Sequence, residues 1–291
     1  MNKKVFFTDL DGTLLNDQKE ITPGNQTAID EALHRGHKVV ITTGRPLASA
    51  RIQAERLGLT KEGCYIVTYN GGQIYDPYHK KTLYGKPISR KLITPIFAEA
   101  HRRGLYIHTY SPTEIFTETD CPELHHYAAN TLMSYKIVKN VSEALPEEPY
   151  KLLAIHETDI AHLEAFRDYI KTAYAGILDS FFSSATYLEI VPTGISKGFA
   201  VKWMCDFLQI PIENSVSAGD AQNDIAMLEA AHIGAVMCNA FPGIAEHGNY
   251  VTTCLLYTSP TEAADADGGR SSWKMPSLRS AHPTDPSDGR S

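Results

Sequence analysis

Cysteine pairs, long apolar runs and a surplus of basic residues are all missing from this sequence, and each shortage removes a class of protein. The 5 cysteines, Cys64, Cys121, Cys205, Cys238 and Cys254, are scattered, odd in number and form no C-x-x-C pair. That excludes a disulfide framework and a zinc ribbon, and it fits a reducing compartment. No stretch approaches the roughly 20 apolar residues that a membrane-spanning helix requires. Met1-Asn2-Lys3-Lys4 leads into only three apolar residues before charge appears, too few for a signal-peptide core. The expected location is therefore the cytoplasm. A formal net charge of −7 supplies no basic field for nucleic acid or for an anionic membrane. What remains is a small-molecule partner, with the protein a monomer or weak homodimer. Neither an internal repeat nor an H-E-x-x-H type spacing occurs among the 12 histidines, so His125-His126 and the rest read as surface or core residues.

With 291 residues, 43% of them hydrophobic, the chain can bury one large core or two ordinary ones. Val5-Phe6-Phe7 is a short continuous apolar run, as a strand covered on both faces requires, and it stops at acidic residues. Thr22-Pro23 reads as an N-cap with proline at the first helical position, followed by a stripe of Ala28, Ile29, Ala32 and Leu33 and closed by Gly36. Val39-Val40-Ile41 is the next strand. Strand, helix, strand at this spacing is a parallel crossover unit, the repeating piece of a doubly wound, Rossmann-like α/β sheet.

Tyr65-Ile66-Val67-Thr68 predicts a third strand; Asn70-Gly71-Gly72 and Asp76-Pro77 predict turns, and together with Lys81-Thr82-Leu83-Tyr84 they suggest a hairpin leaving the sheet. Between residues 87 and 191 the pattern changes. Helical stretches near Lys91 to Arg103 and Ile160 to Ala173 alternate with β-like runs at Leu105 to His108, Lys151 to Ile155 and Tyr187 to Val191, which reads as an inserted α+β domain whose Tyr and Phe pack a small core of their own, with some left to face the substrate. The crossover pattern resumes after Lys197-Gly198 with the helix of Phe199, Trp203, Phe207 and Leu208. The expected organisation is a discontinuous core, 1–86 and 192–253, interrupted by 87–191. Residues 254–291 lack apolar periodicity and are expected to be disordered. Cys254-Leu255-Leu256-Tyr257-Thr258-Ser259 is similar to the translation of a transposon-type sequencing adapter, so everything beyond about Thr253 is expected to be non-native. Genomic sequencing across that junction is the check, and an uninterrupted reading frame through Ser291 is the outcome against it.

Four clusters carry chemistry. Asp9 and Asp11 follow the first strand, two residues apart, with Gly12 and Thr13 turning the backbone away. Two close carboxylates repel, and hard oxygen ligands of this kind suit Mg²⁺. Thr43 and Gly44, with Arg45, follow the second strand, where a hydroxyl and free N–H groups can hold phosphate oxygens. Lys197 stands at a helix start, a position unfavourable for an ammonium unless an anion lies nearby. Asp220, Asn223 and Asp224 lie at a strand-to-helix junction, where a carboxylate can reach a metal or cap the helix.

In order and spacing these clusters resemble the haloacid dehalogenase-like phosphatase superfamily: Asp9-Leu10-Asp11-Gly12-Thr13, Thr43, Lys197 and Gly219 to Asp224 are similar to its four motifs. Thr43-Gly44-Arg45, Asn70-Gly71-Gly72, Ile195-Ser196-Lys197-Gly198 and the large insertion resemble its Cof-type branch, with a cap of the C2B class. The resemblance implies a phosphoric monoester hydrolase acting on a small phosphorylated metabolite, sugar phosphates foremost. It implies Asp9 as nucleophile and Asp11 as acid and base. Mg²⁺ would be held by Asp9, the Asp11 carbonyl and Asp220, with Asp224 close by. Thr43, Gly44, Lys197 and Asn223 would bind phosphoryl oxygens, and Arg45 and Asn70 would meet the substrate or the cap. A phosphosugar mutase and a non-catalytic phosphate-binding or phospho-accepting module are the alternatives. Two departures from the family pattern stand out: Cys238 replaces a usual glycine, and the closing helix after Thr253 is absent, which is expected to uncover part of a sheet face and lower stability.

Overall fold

The short apolar runs become strands because their residues are covered on both sides, and a computed structural model shows what covers them. It describes residues 3–252 apart from Asp17 and Asp159; the tail expected over 254–291 lies outside the described residues. The chain begins β1 (Val5–Thr8), α1 (Pro23–His34), β2 (Lys38–Thr42), α2 (Leu47–Arg56), β3 (Cys64–Thr68), β4 (Gln73–Asp76) and β5 (Lys81–Gly85). It continues with α3 (Arg90–Arg102), β6 (Tyr106–Tyr110), β7 (Glu114–Thr117), α4 (Pro122–Thr131), β8 (Ser134–Ile137) and α5 (Val141–Ala144). β9 (Leu152–Ile155), α6 (Ile160–Ala173), β10 (Leu178–Ser184) and β11 (Tyr187–Pro192) follow. Last come α7 (Lys197–Leu208), β12 (Ser215–Gly219), α8 (Ile225–Ala230), β13 (Ile233–Val236) and β14 (Tyr250–Val251).

Local signals set the helix starts. The Thr22 hydroxyl accepts from the Asn25 N–H at 3.4 Å at the head of α1, and the Ser196 hydroxyl accepts from the Phe199 N–H at 3.0 Å at the head of α7. Each satisfies one of the N–H groups that a helix start leaves unpaired.

Eight strands form one sheet in the order β14-β13-β12-β1-β2-β3-β4-β5. Pairing is parallel from β14 to β3 and antiparallel from β3 to β5. The hairpin expected to leave the sheet therefore extends it instead. Tyr69 and Asn70 both adopt left-handed backbone angles, φ 51° and 56°, and this tight reversal returns β4 alongside β3, pairing Val67 with Ile74. Ile74 is fully buried there, so apolar burial favours keeping the strand in place. Within the order, β1 lies between β2 and β12, so the chain winds away from it in both directions. The carboxyl end of β1 is thus the switch point where open α/β sheets form their crevice.

One face of this sheet is covered by Ile29 of α1 and Ala50 and Ala54 of α2, the other by Ala200, Val201 and Met204 of α7 and Met227 of α8. The inserted strands make a second sheet in the order β10-β11-β9-β6-β7-β8. Ile93 and Phe97 of α3 and Phe166 and Ile170 of α6 cover its outer face. Its other face, with Tyr106, Tyr110, Leu153 and Tyr127 of α4, belongs to the same apolar cluster as Leu47 and Tyr69 of the first sheet's layer. The aromatic residues of the insertion are therefore shared between the two layers and do not all pack a separate core.

His108 on β6 is fully buried, with Nε2 2.9 Å from the Tyr110 hydroxyl, which is itself 2.7 Å from the Tyr127 hydroxyl. Among the described residues its Nδ1 has no hydrogen-bond partner. Burial, helped by the charge of Lys151, holds its pKa well below the usual 6.5. The unfolded chain therefore binds a proton that the folded chain refuses, and stability falls as pH drops below the unfolded value of about 6.5. His108→Gln is expected to remove a slope approaching ~1.4 kcal/mol per pH unit between pH ~6.5 and ~5, read from urea midpoints; parallel slopes in both proteins would contradict this.

Candidate active site

Three neighbouring strands deliver three of the four clusters to one place: Asp9 follows β1, Thr43 follows β2 and Asp220 follows β12. The Asp9 N–H donates to the Ala218 carbonyl at 3.0 Å and the Thr43 N–H to the Val67 carbonyl at 2.9 Å, so each residue leaves the sheet from a fixed backbone. Lys197, the first residue of α7, has no exposed surface at all. Its Nζ lies 2.5 Å from Asp9 Oδ1 and 2.6 Å from Asp224 Oδ1. The anions anticipated near this ammonium are the protein's own carboxylates. Close packing makes the reach possible: a Cβ on Gly198 would stand 2.2 Å from the Ala226 carbonyl oxygen, so glycine lets the start of α7 press against α8.

Asp224 is held on its other side by the N–H groups of Asp220 and Ala221, both donating to Oδ2, at 3.1 and 3.0 Å. Asp220 does not cap a helix; its Oδ1 accepts the Thr13 hydroxyl at 2.6 Å. Gly12 is needed beside it, because its φ is +83° and an added Cβ would come 2.5 Å from Asp220 Oδ2. Carboxylate oxygens of Asp9, Asp220 and Asp224, all buried, lie within 4.8 Å of one another. Burial pushes Asp9 up to about 8, with Lys197 pulling it down and Asp224 adding to the rise. Burial also raises Asp220, against the hydrogen bond from Thr13. Lys197 is raised despite its own burial, because Asp224 and Asp9 hold the proton on it. Three buried carboxylates around one ammonium leave surplus negative charge in a poorly solvated place. Hard oxygen donors carrying that surplus fit a divalent cation.

Asp11 points elsewhere. Arg45 grips it through Nε to Oδ2 at 2.8 Å and Nη2 to Oδ1 at 3.0 Å, and Lys19 Nζ adds a contact at 2.9 Å. Burial alone would raise the Asp11 pKa, but these two cations outweigh it and hold the carboxyl below its usual range. Its carboxylate is outside the trio around Lys197.

Asp9, Asp11, Thr43, Gly44, Arg45, Asp220 and Asn223 line one cavity of about 340 Å³. Lys197 and Asp224 do not line it; they stand behind Asp9. Asn70 also stands back, its Oδ1 accepting from Asn223 Nδ2 at 3.2 Å and its Nδ2 donating to Glu189 Oε2 at 2.6 Å. The opposite wall comes from the insertion, including Tyr127 and Asn130 of α4, Lys151, Leu153, Tyr187 and Glu189. Sequence reasoning passed over Lys151 and Glu189. The usable signal was a charge inside an apolar strand: Tyr187-Leu188-Glu189-Ile190-Val191 buries a glutamate on the face it shares with Tyr187, where an unpaired acid would be costly.

Removing Lys197 leaves two buried carboxyls without the ammonium they share. Lys197→Met is expected to cost about 3–5 kcal/mol near neutral pH, because Asp224 loses its cation and Asp9, already pushed up to about 8, loses the group that pulls it down. Chemical denaturation at neutral pH measures the loss, and an unchanged midpoint would refute it.

Residues 6–255 match the haloacid dehalogenase-like hydrolase family. A Streptococcus pyogenes protein with a provisional phosphatase name is 31% identical over 258 residues, covering 87% of this chain and 93% of that protein. A 5-amino-6-(5-phospho-D-ribitylamino)uracil phosphatase of Bacillus subtilis is 30% identical over 251 residues, 86% of this chain and 89% of that one. Among solved structures, a haloacid dehalogenase-like hydrolase from Bacteroides thetaiotaomicron superposes with a TM-score of 0.79 at 26% identity, covering 86% of this chain and 94% of that chain. The family match spans most of the chain and the first of these relatives is 31% identical, so the chain belongs to the haloacid dehalogenase-like hydrolase family.

Proposed function

We propose that this protein is a Mg²⁺-dependent phosphatase of small phosphate monoesters, sugar phosphates among them, with Asp9 as the nucleophile. The observation that carries the reading is the position of Asp9: it lines the cavity beside Asp220, with Lys197 and Asp224 behind it. Relatives named as phosphatases support the ester-hydrolase class. One of them, from Yersinia pseudotuberculosis, is named HMP-PP phosphatase and is 26% identical, which supports a small phosphorylated metabolite as partner. Residues 1–86 and 192–253 are proposed as the core that performs the chemistry and 87–191 as the cap that shapes the cavity. Among the described residues no helix is long and apolar enough to cross a membrane; a cytoplasmic location is proposed on the sequence.

In the first step Asp9, pushed up to about 8 by burial and ionised once a bound cation would add to the pull of Lys197, attacks phosphorus in line, the phosphorus–ester oxygen bond breaks, and the departing oxygen takes a proton from Asp11. In the second, water loses a proton to Asp11 and attacks the aspartyl-phosphate, releasing phosphate and restoring Asp9. Arg45 and Lys19 hold Asp11 ionised, the state that activates water. Donating a proton first requires both cations to withdraw, and the dianionic phosphate is the anion that competes for them. The Thr43 hydroxyl and Asn223 side chain line the cavity where phosphoryl oxygens would lie, and Lys197 fixes Asp9 from behind. Asp9, Asp220 and the Asp11 carbonyl, with Asp224 nearby, would hold Mg²⁺, which when bound would supply charge neutralisation at the phosphoryl group.

Phosphate release from a panel of monoesters is expected with Mg²⁺ and not after chelation. Asp9→Asn is expected to lower kcat by about three orders of magnitude or more. Undiminished release by that variant would remove Asp9 from the mechanism.

A further inference from the structure

We propose that Lys151 and Glu189 together determine specificity, by reading a hydroxyl group on the leaving alcohol. The inference rests on the phosphatase reading above and assigns the residues that would favour polyhydroxylated esters.

Lys151 precedes β9 and Glu189 lies on the neighbouring β11, where it pairs with Leu153. Both side chains are almost wholly buried, 2% and 6% exposed, and both residues line the cavity. A buried ion pair is retained at little net gain unless its remaining donors and acceptors are met. Part of that requirement is satisfied within the protein. Lys151 Nζ donates to the Gly44 carbonyl at 2.8 Å and lies 3.1 Å from Glu189 Oε2, which also accepts from Asn70 at 2.6 Å. Two groups are left over. No described residue donates to Glu189 Oε1, and an ammonium with three N–H groups keeps one beyond those two contacts.

An acceptor and a donor thus stand side by side at the cavity wall. A hydroxyl can answer both, since it donates and accepts at once. A carboxylate on the leaving group would be repelled by Glu189 and an ammonium by Lys151, while an alkyl chain would leave both unmatched in a buried place. The bond to Gly44 holds the pair against the loop after β2, within the cavity that contains Asp9, so the hydroxyl it reads belongs to the same ester. Leu153, Tyr127 and Tyr187 on the same wall offer apolar surface to the carbon skeleton.

The pair also ties the insertion to the first sheet, and the experiment separates that role from recognition. Wild type and Glu189→Gln are assayed with Mg²⁺ on a hexitol phosphate, on hexyl phosphate and on p-nitrophenyl phosphate. In wild type the hexitol ester is expected to exceed the hexyl ester in kcat/KM by at least about tenfold. In Glu189→Gln that ratio is expected to collapse to within about twofold, whatever the change in absolute rate on p-nitrophenyl phosphate. A purely structural pair lowers all three esters alike and leaves the ratio intact, which would overturn the proposal, as would a wild-type ratio near one. Should Glu189→Gln fail to fold, Lys151→Met/Glu189→Gln carries no stranded charge and is expected to lose the ratio as well; if neither folds, the wild-type ratio decides. Silence from all three esters speaks against the phosphatase reading alone. Calorimetry then settles the pair: tighter binding of the hexitol ester than the hexyl ester in wild type sustains it, and equal binding overturns it.

Discussion

Lys197 carries its charge where water cannot neutralise it, so Asp9 and Asp224 must both come to within hydrogen-bonding distance. Those two carboxylates originate on β1 and before α8, far apart in sequence. Their meeting requires β1 to lie beside β12, α7 to press against α8 through Gly198, and the backbone N–H groups of Asp220 and Ala221 to hold Asp224 in place. One ammonium between two acids accordingly ties the first strand of the chain to its last third. The same arrangement leaves excess negative charge, which is why the place suits a hard cation.

Much of this site was legible because parallel sheets put their chemistry at strand ends. Val5-Phe6-Phe7 and Val39-Val40-Ile41 announce buried strands by composition, and the polar residues that interrupt them must face the crevice. The burial of Lys197 was less accessible. A lysine at a helix start signals that an anion is near, yet nothing local says whether that anion is a ligand or the protein itself. The grip of Arg45 on Asp11 was out of reach for a similar reason: it depends on how two loops following adjacent strands approach each other, and neither loop encodes that distance alone.

The insertion was legible in outline and not in detail. β6, β9 and β11 are apolar enough to show themselves, as are α3 and α6. β8, Ser134-Tyr135-Lys136-Ile137, is exposed throughout and carries no one-sided pattern, so nothing marks it as a strand except its neighbour β7. The hairpin of β4 and β5 shows a related limit: turn residues predict a reversal, but only the packing of Ile74 decides that the chain returns to the same sheet.

Sheet order also has a kinetic meaning. Local opening in proteins begins at elements with few partners and proceeds inward. With β12, β13 and β14 on one side of β1 and β2 to β5 on the other, the strand that carries Asp9 is among the last to be released. Fraying of either edge leaves Asp9 seated, so its geometry persists through partial excursions and disappears only when the sheet as a whole comes apart.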